Sequence, residues 1–383
     1  RAYEALPICP PKLRRRRVTN GMKILLVHYK HAYDRNWKNL NRRAASYYLE
    51  YLPLKAIAEK HGHTVDVFYI DEHIIASGRD GAREEFWKYI LREKPDVCFA
   101  GFNEYDLGKE LLQKVHDTTP TTLVHIGDDD TWRWERVSRH FASCFTWLLT
   151  YDSRAIAKYK RIGYTNVIHH QPGVDLNVYK KLPSIEKDID ISFIGLWSQP
   201  RQKLIDSLRR AGIHIMVRGM GWPEGPISQD ELISIVNRSK VCLSLNTPAF
   251  YVGWRPIVRL FFRRAYFGEG GTAIKLDIWH FFDNFRSWLM KRNAQVKSRH
   301  FEVPACGTLE ITQDADDMRN YYELGKEIVV YEDEKDLVKK INYYLAHDEE
   351  REAIARAGYE RTQREHSTER RFEDIFRMIG RSL

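Results

Sequence analysis

The sequence lacks the patterns that mark disulfide-rich, zinc-binding, membrane-spanning and repeat proteins. Its five cysteines are an odd number and include no Cys-x-x-Cys pair, which disfavours a disulfide framework or a structural zinc site. No run of about 18 apolar residues occurs, so no transmembrane helix is predicted. No repeat with a period of about 20–50 residues is visible. We therefore expect a cytoplasmic protein.

Size and charge narrow the class further. A single core rarely exceeds about 250–300 residues, so the 383 residues predict two domains. The net charge of +9 favours an anionic partner, which could be nucleotide phosphate, anionic lipid or nucleic acid. Residues 1–21, with Arg14 to Arg17 in a row, form a basic N-terminal arm that could bind nucleic acid or lipid or be a solvated tail.

Residues 22–172 consist of short apolar runs that alternate with amphipathic segments. The predicted strands are 23–29, 64–70, 96–102, 122–127, 145–150 and 166–170. Strands that alternate with helices form a parallel sheet covered on both faces. The pattern therefore predicts an α/β fold that begins with a doubly wound, Rossmann-like domain.

The alternation stops at residues 173–187, where Gly173 and Pro183 lie in a stretch of little periodicity that indicates a linker. It restarts over residues 188–366 and predicts a second Rossmann-like domain. Residues 367–383 are predicted as a C-terminal helix that could cross back to the first domain. Ligands of such sheets bind beyond the carboxyl ends of the strands, which places the site in a cleft between the domains.

Basic residues follow two predicted strands of the second domain. The strand at 190–196 leads into a helix N-terminus, whose free N–H groups and dipole suit a diphosphate. Arg201 and Lys203 add positive charge there. Arg218 and Gly219 follow the next strand, where glycine lets backbone approach a ligand closely. Alternatively, Arg201 and Lys203 are ordinary surface charges, and the glycine after the next strand belongs to a plain turn.

The most informative stretch is RHFEVPACG, Arg299 to Gly307. A glutamate near a helix start, at the edge where strands end, is suited to accept hydrogen bonds from both hydroxyls of a ribose. Glu302 is the candidate for this role. Lys297 and Arg299 precede it and would face the diphosphate.

This stretch resembles the donor-binding signature of group 1 glycosyltransferases of the GT-B fold, in which a Glu precedes an Ala-Cys-Gly turn. Residues 188–371, less one interruption, resemble more narrowly the spore-maturation (CgeB-like) subgroup, through FIG, PR, VKSRHFEVPACG, GKEIVVYE and YYLAHDEEREAIARAGYERTQREHS. The resemblance implies two Rossmann-like domains facing across a cleft, C-terminal helices, and a nucleoside-diphosphate sugar donor, with a UDP-sugar expected first. It also implies that cationic side chains and helix dipoles neutralise the diphosphate, so no metal or other cofactor is expected.

The spacing of Glu302 and Glu310 imitates the Glu-x7-Glu motif of the same superfamily. The Ala305-Cys306-Gly307 turn aligns Glu302 with the second glutamate of that motif, so the first would fall on Ala294. Glu310 lies in the following predicted strand. The chain therefore departs from the common pattern, and Glu302 alone is assigned to ribose.

Candidate catalytic acids follow two predicted strands of the first domain. Asp128 and Asp129 follow the strand at 122–127, and Glu104 follows the strand at 96–102. The aspartates could hold Mg²⁺ or Mn²⁺ as a DxD motif, or act as site carboxylates beside a helix N-cap at Asp130. Asp129 is the preferred catalytic base, which an inverting reaction would require.

Residues 250–293 interrupt the second domain with an aromatic and basic insertion. Several of its apolar residues fall on one helical face, and basic amphipathic helices that carry Trp and Phe can lie in a membrane interface. Trp254, Phe281 and Trp288 are candidate acceptor or lipid contacts, as is His28 at the end of the first strand. Packing on the domain and an oligomer contact are the alternatives.

These features together predict a glycosyltransferase that moves a sugar from a nucleoside-diphosphate sugar to a hydroxyl acceptor, which could be lipid-linked or a glycan. Such an enzyme could be peripheral on the inner face of a membrane. A nucleotide-sugar epimerase shares the architecture and is the alternative enzyme class. A nucleic-acid-binding protein that uses the basic arm and the insertion would leave the Glu302 region unexplained, so nucleic acid is not an expected partner.

Overall fold

A computed structural model describes residues 21–30, 48–101, 106–126, 130–246, 254–267, 271–290 and 294–383. The chain divides into two compact units. The first unit comprises Arg1–His170, Ile257–Ser287 and Ile375–Leu383, and the second comprises Gln171–Pro256 and Trp288–Asp374.

The first unit is built on a parallel sheet. Its strands are β1 (Lys23–His28), β2 (Thr64–Tyr69), β3 (Val97–Ala100), β4 (Thr122–His125), β5 (Trp147–Thr150) and β6 (Val167–His169). They lie in the order β2-β1-β3-β4-β5-β6, and every pair is parallel. Strands β1 and β3, in the interior of the sheet, are apolar and buried along most of their length, as expected of a sheet covered on both faces.

Helices connect these strands. They are α1 (Tyr48–Lys60), α2 (Ile70–Glu93), α3 (Gly108–Thr118), α4 (Asp130–Arg133), α5 (Arg139–Phe141) and α6 (Ser153–Arg161), with a π-helical turn at Trp134–Ser138. Gly78 has a φ of 70° and kinks α2, because only glycine adopts that conformation without strain. Asp152 caps α6 by accepting from the backbone N–H of Arg154.

The second unit begins with the same alternation. Its first elements are β7 (Ile189–Ile194), α7 (Gln199–Arg210), β8 (Met216–Arg218), α8 (Gln229–Arg238) and β9 (Ser239–Ser244). The insertion follows, with α9 (Trp254–Phe261), β10 (Phe262–Phe267), β11 (Gly271–Leu276), a 3-10 turn at Ile278–His280 and α10 (Phe281–Met290). Strands β10 and β11 pair as an antiparallel hairpin, which the sequence pattern did not predict.

The remaining elements complete the second sheet and the C-terminal helices. They are α11 (Arg299–Ala305), β12 (Leu309–Gln313), β13 (Val329–Tyr331), α12 (Glu334–Ala346), α13 (Asp348–Glu365) and α14 (Thr368–Met378). The sheet order is β13-β12-β9-β7-β8, again with parallel pairs. The predicted fold class, two doubly wound parallel-sheet α/β domains, is confirmed.

The units divide the chain differently from the predicted domains. Val174 and Tyr179, in the predicted linker, are buried in a core of the second unit. The insertion was predicted within the second domain, yet Ile257–Ser287 groups with the first unit. Arg136 explains this, because it donates to Asn284 Oδ1 at 3.0 Å and pairs with Asp277 Oδ2 at 3.2 Å. Residues far apart in sequence make these contacts, so periodicity does not reveal them.

The C-terminal residues Ile375–Leu383 also group with the first unit. Phe376 is fully buried and packs against Phe99 of β3, with ring centroids 5.8 Å apart. Its ring also stacks on His63 at 6.4 Å. This aromatic side chain of α14 therefore contributes to the core beside β3.

We predict that Phe376→Ala destabilises the first unit by about 3–5 kcal/mol, because the ring leaves a cavity that its neighbours cannot close. Hydrogen exchange of the β3 amides, followed with chemical denaturation, measures the loss. Met378→Ala, at an exposed position on the same helix, is the matched control. Equal effects from both variants would contradict this account of the core.

Candidate functional site

The strands of the second sheet all end at one edge, because they are parallel. The last residues of β7, β8, β9 and β12 are Ile194, Arg218, Ser244 and Gln313. A helix that joins two parallel strands begins where the preceding strand ends, so the starts of α7 and α11 lie at this same edge. Ligands of doubly wound sheets bind there.

Arg201, in the first turn of α7, joins two loops of this edge. Its Nε and one terminal nitrogen donate to the carbonyl of Leu245 at 3.2 and 2.9 Å, and the other terminal nitrogen donates to the carbonyl of Leu196 at 2.8 Å. Burial lowers the pKa of Arg201, with the nearby Tyr331 opposing the shift. Arg201 thus holds the loops that follow β7 and β9 together, while Lys203, two residues further along α7, is exposed.

Two unsatisfied polar atoms lie at the ends of β12 and β13. Among the described residues, Tyr331 Oη and Gln313 Oε1 are buried without a hydrogen-bond partner. Tyr331 and Gln313 are register partners at the ends of β13 and β12, so they lie on the same face of the sheet. Burying such atoms costs free energy unless water or a ligand supplies the missing hydrogen bond.

The turn after β8 requires glycine at residue 219. Gly219 has a φ of 133°, and a Cβ there would lie 2.2 Å from the carbonyl oxygen of Gly195. Trp222 donates its indole N–H to the same carbonyl at 2.9 Å and packs edge-on against Phe193. Trp222 therefore packs within this loop. Arg218 donates to the carbonyl of Val217 at 3.0 Å.

Glu302 is buried in the first turn of α11. Arg299 Nη1 lies 2.8 Å from Glu302 Oε2, one helical turn earlier. Tyr179 faces the same carboxylate, and burial together with that negative charge raises the pKa of its hydroxyl. The carboxylate is thus held in place by a cation and a phenol, which makes it a directed hydrogen-bond acceptor.

Lys297 lies just before α11 at the same edge. Its Nζ donates to Gln295 Oε1 at 3.0 Å, and Asn246, two residues after β9, donates to the carbonyl of Gln295 at 2.7 Å. Asn246 therefore ties the loop after β9 to the segment that carries Lys297. The predicted residues Lys297, Arg299 and Glu302 belong to one continuous edge segment.

A second buried pair anchors α11 from behind. His300 Nδ1 lies 2.6 Å from Glu310 Oε1 on β12, and both side chains are almost completely buried. Gly307 ends the helix with a φ of 70°, which lets the chain turn directly into β12. Glu310 is therefore a structural partner of His300 inside the unit.

We predict that His300→Leu destabilises the second unit by about 3–5 kcal/mol, because it leaves the Glu310 carboxylate buried and unpaired. The double variant His300→Leu with Glu310→Leu should recover most of this loss, since no charge is then left buried. Denaturation of the four proteins in a double-mutant cycle measures the coupling. Additive losses would show that the pair does not act as a unit.

The candidate acids of the first unit, Asp128, Asp129 and Glu104, lie outside the described residues. The last residues of the preceding strands, Ala100 and His125, are register partners on β3 and β4. Asp130, their described neighbour, is fully buried and accepts from the Tyr159 hydroxyl at 3.1 and 3.2 Å, so it has a structural role.

His28, a predicted acceptor contact, is buried at the end of β1. Burial lowers its pKa to about 4, although Asp71 opposes the shift. The imidazole is therefore neutral at pH 7 and would act as a hydrogen-bonding group rather than as a cation.

This shift predicts an acid-dependent stability. Between pH 6.5 and 4 the unfolded chain binds a proton at His28 that the folded chain does not, so the free energy of unfolding falls as the pH falls. The slope from this residue is at most about 1.4 kcal/mol per pH unit. Unfolding of His28→Asn across this range should show a smaller slope than wild type. His214→Asn, at an exposed position, should leave it unchanged, and equal slopes in all three would contradict the assignment.

The three aromatic candidates of the insertion differ in exposure. Trp254 is exposed, whereas Trp288 is half-buried. Phe281 is half-buried and packs against Phe261, Phe282 and Phe285, with ring centroids 5.1 to 6.2 Å apart. Phe281 therefore packs among the other aromatic rings of the insertion. The exposed aromatic surface consists of other residues.

Comparisons with known proteins agree with this architecture. Residues 269–377 match the model of a family described as glycosyl transferase-like. Sucrose-phosphate synthase from Thermosynechococcus elongatus is similar over 94% of this chain and 99% of its own, with a TM-score of 0.57 at 10% identity. HepE from Anabaena, solved in complex with UDP and glucose, covers the same shares with a TM-score of 0.55 at 13% identity. The chain has the GT-B fold.

Other GT-B neighbours include a different enzyme class. A protein described as a putative UDP-N-acetylglucosamine 2-epimerase, from Listeria monocytogenes, covers 94% of this chain and 96% of its own, with a TM-score of 0.52 at 9% identity. No curated protein matches the sequence. Among the described residues, no helix is long and apolar enough to cross a membrane.

Tyr179, Asn246 and the His300–Glu310 pair escaped the sequence-based prediction of this edge. Tyr179 lies in a segment that resembled a linker, and Asn246 follows a strand without any motif around it. A histidine and a glutamate ten residues apart give no signal until a helix and a strand bring them together.

Proposed function

We propose that this protein transfers a sugar from a nucleoside-diphosphate sugar, with a UDP-sugar as the first donor to test, to a hydroxyl acceptor. The observation that carries the proposal is the buried Glu302 carboxylate, held by Arg299 at 2.8 Å at the start of α11. It lies within the segment that matches a glycosyl transferase-like family model. The spore-maturation subgroup remains the finer proposal for the family.

Glu302 would accept hydrogen bonds from the two ribose hydroxyls. A carboxylate accepts at two oxygens, which matches the two neighbouring donors of a ribose. The Arg299 guanidinium and the Tyr179 hydroxyl keep the carboxylate oriented. A hydrogen bond to a charged acceptor is stronger than one between neutral groups, so this contact contributes much of the nucleotide affinity.

The diphosphate would lie near the start of α7 and Lys297. The first turn of α7 presents backbone N–H groups and the positive end of the helix dipole. Arg201 would act chiefly by positioning, since three of its five N–H groups already donate to backbone carbonyls. Lys203, Arg218 and Gly219 remain proposed donor contacts. The leaving diphosphate is then neutralised by side chains and a helix end, without a proposed metal.

The acceptor and the catalytic base are assigned to the first unit. Asp129 is the proposed base, with Asp128 and Glu104 as alternatives, and His28 is a proposed acceptor contact. An inverting reaction needs such a base to take the proton of the acceptor hydroxyl.

UDP should raise the melting temperature of the full chain, because it binds only the native state. Thermal shifts with UDP, GDP, ADP, CMP and dTDP identify the base. We predict that Glu302→Gln weakens binding of the preferred diphosphate by about tenfold or more, since it removes the charge of the acceptor.

Glu349→Gln, at an exposed position on α13, is the matched control. The melting temperature of unliganded Glu302→Gln shows whether that variant is folded. Binding of none of the five nucleotides, or full affinity in a folded Glu302→Gln, would overturn the proposal.

An epimerase is the second candidate, favoured by the structural neighbour of that class. An epimerase converts its nucleotide sugar without an acceptor, whereas a glycosyltransferase consumes it at a useful rate only when an acceptor is present. Product analysis of the identified donor sugar, with and without added acceptor, separates the two.

A further inference from the structure

We infer that the outer face of the insertion segment Ile257–Ser287 docks on the surface of an anionic lipid bilayer. The segment contains part of α9, the hairpin β10–β11, the 3-10 turn and most of α10. The proposal does not depend on which nucleotide the second unit binds.

The segment buries polar side chains and exposes aromatic ones, which is the opposite of an ordinary amphipathic surface helix. Asn284 and Ser287 of α10 are buried, whereas Phe282 on the same helix is 74% exposed. Trp279, in the preceding turn, is 89% exposed. A surface helix of a soluble domain turns its apolar side inward, so the exposed Trp279 and Phe282 favour an apolar medium on the outer side.

The polar inner side is held by arginines of the first unit. Arg136 binds Asn284 and Asp277, and Arg139 Nη2 lies 3.4 Å from Asp283 Oδ2. The Asn284 amide also donates to the carbonyl of Leu260 at 3.0 Å. These contacts fix the orientation of the segment, so its outer face is set by the fold.

The hairpin extends the exposed apolar face. Ile274 and Leu276 lie two residues apart on β11, so they share a face, and they are 73% and 62% exposed. Phe262 is the register partner of Leu276 and is also exposed. Contiguous exposed apolar surface of this kind marks an interaction site in a soluble protein.

Charge favours a lipid surface over an apolar protein partner. The described acids of the segment, Asp277 and Asp283, are paired with Arg136 and Arg139. Arg259 and Arg286 are exposed. The outer side therefore carries cationic groups beside Trp and Phe, the combination that binds the headgroup region of anionic bilayers.

Flotation of the full chain with vesicles tests the inference. The protein should bind phosphatidylcholine vesicles that contain about 30% phosphatidylglycerol, bind pure phosphatidylcholine at least several-fold more weakly, and be released by salt. Absence of binding to the anionic vesicles would overturn it.

Substitutions locate the surface. Trp279→Ser with Phe282→Ser should lower partitioning by at least about tenfold, because two interfacial anchors are lost. Arg259→Gln with Arg286→Gln should weaken binding to anionic vesicles about tenfold, since each juxtamembrane charge contributes several-fold. Ile75→Ser with Leu91→Ser, at half-exposed apolar positions of α2, is the matched control and should bind within about twofold of wild type.

Three results would contradict the proposal. Binding that Trp279→Ser with Phe282→Ser leaves unchanged would place the lipid contact elsewhere, and an equal loss in the control would show a nonspecific effect. A concentration-dependent dimer of wild type, abolished by the same two serines in the absence of vesicles, would identify the face as a subunit interface. The nucleotide thermal shifts of all variants check the second unit separately.

Discussion

The position of α11 depends on two buried pairs of charged or polar side chains, and the candidate site depends on α11. Arg299 and Glu302 face the carboxyl edge of the second sheet, while His300 joins Glu310 on β12. A buried carboxylate is tolerated only with a partner at hydrogen-bond distance. The helix therefore has one low-energy position relative to the sheet, and that position directs Glu302 to the edge where ligands of the fold bind.

The loops around Glu302 are held by backbone contacts rather than by their own secondary structure. Arg201 bonds the loops after β7 and β9, Gly219 permits the close approach of the turn after β8, and Asn246 fixes the segment before α11. Preorganised loops lose little entropy when a ligand binds. A site of this type suits a charged, polar ligand such as a nucleoside diphosphate.

In the insertion, the distribution of buried polar and exposed apolar side chains differs from that in the rest of the chain. Elsewhere apolar side chains fill cores, whereas between Ile257 and Ser287 the polar Asn284 and Ser287 are buried and Trp279 and Phe282 are exposed. Arg136 and Arg139 make this possible, because they neutralise the acids that would otherwise be exposed beside the apolar surface. The first unit thereby presents a cationic, apolar face that the described part of the chain does not cover.

Periodicity was enough to predict the α/β class and most strands and helices, because a doubly wound sheet is encoded by local alternation of apolar runs. Between the predicted strands at 64–70 and 96–102, periodicity indicates a helix only around residues 84–91. This helix is part of the much longer α2, since the kink at Gly78 hides its first half from a search for one regular period. The hairpin β10–β11 was missed because the insertion was judged from its composition and from one helical face, whose residues follow the hairpin in sequence.

The sequence by itself determined the repeated strand and helix alternation and the unusual composition of residues 250–293. Its resemblance to a glycosyltransferase signature predicted the register of Glu302 from the Ala-Cys-Gly turn. Only the tertiary structure decided that Tyr179 belongs to the second unit, that His300 pairs with Glu310, and that the insertion belongs to the first unit. The physical reason is the distance along the chain over which each kind of interaction acts. Apolar period and turn chemistry act within a few residues, whereas buried charges choose partners across the fold, and any nearby cation of the right geometry can serve.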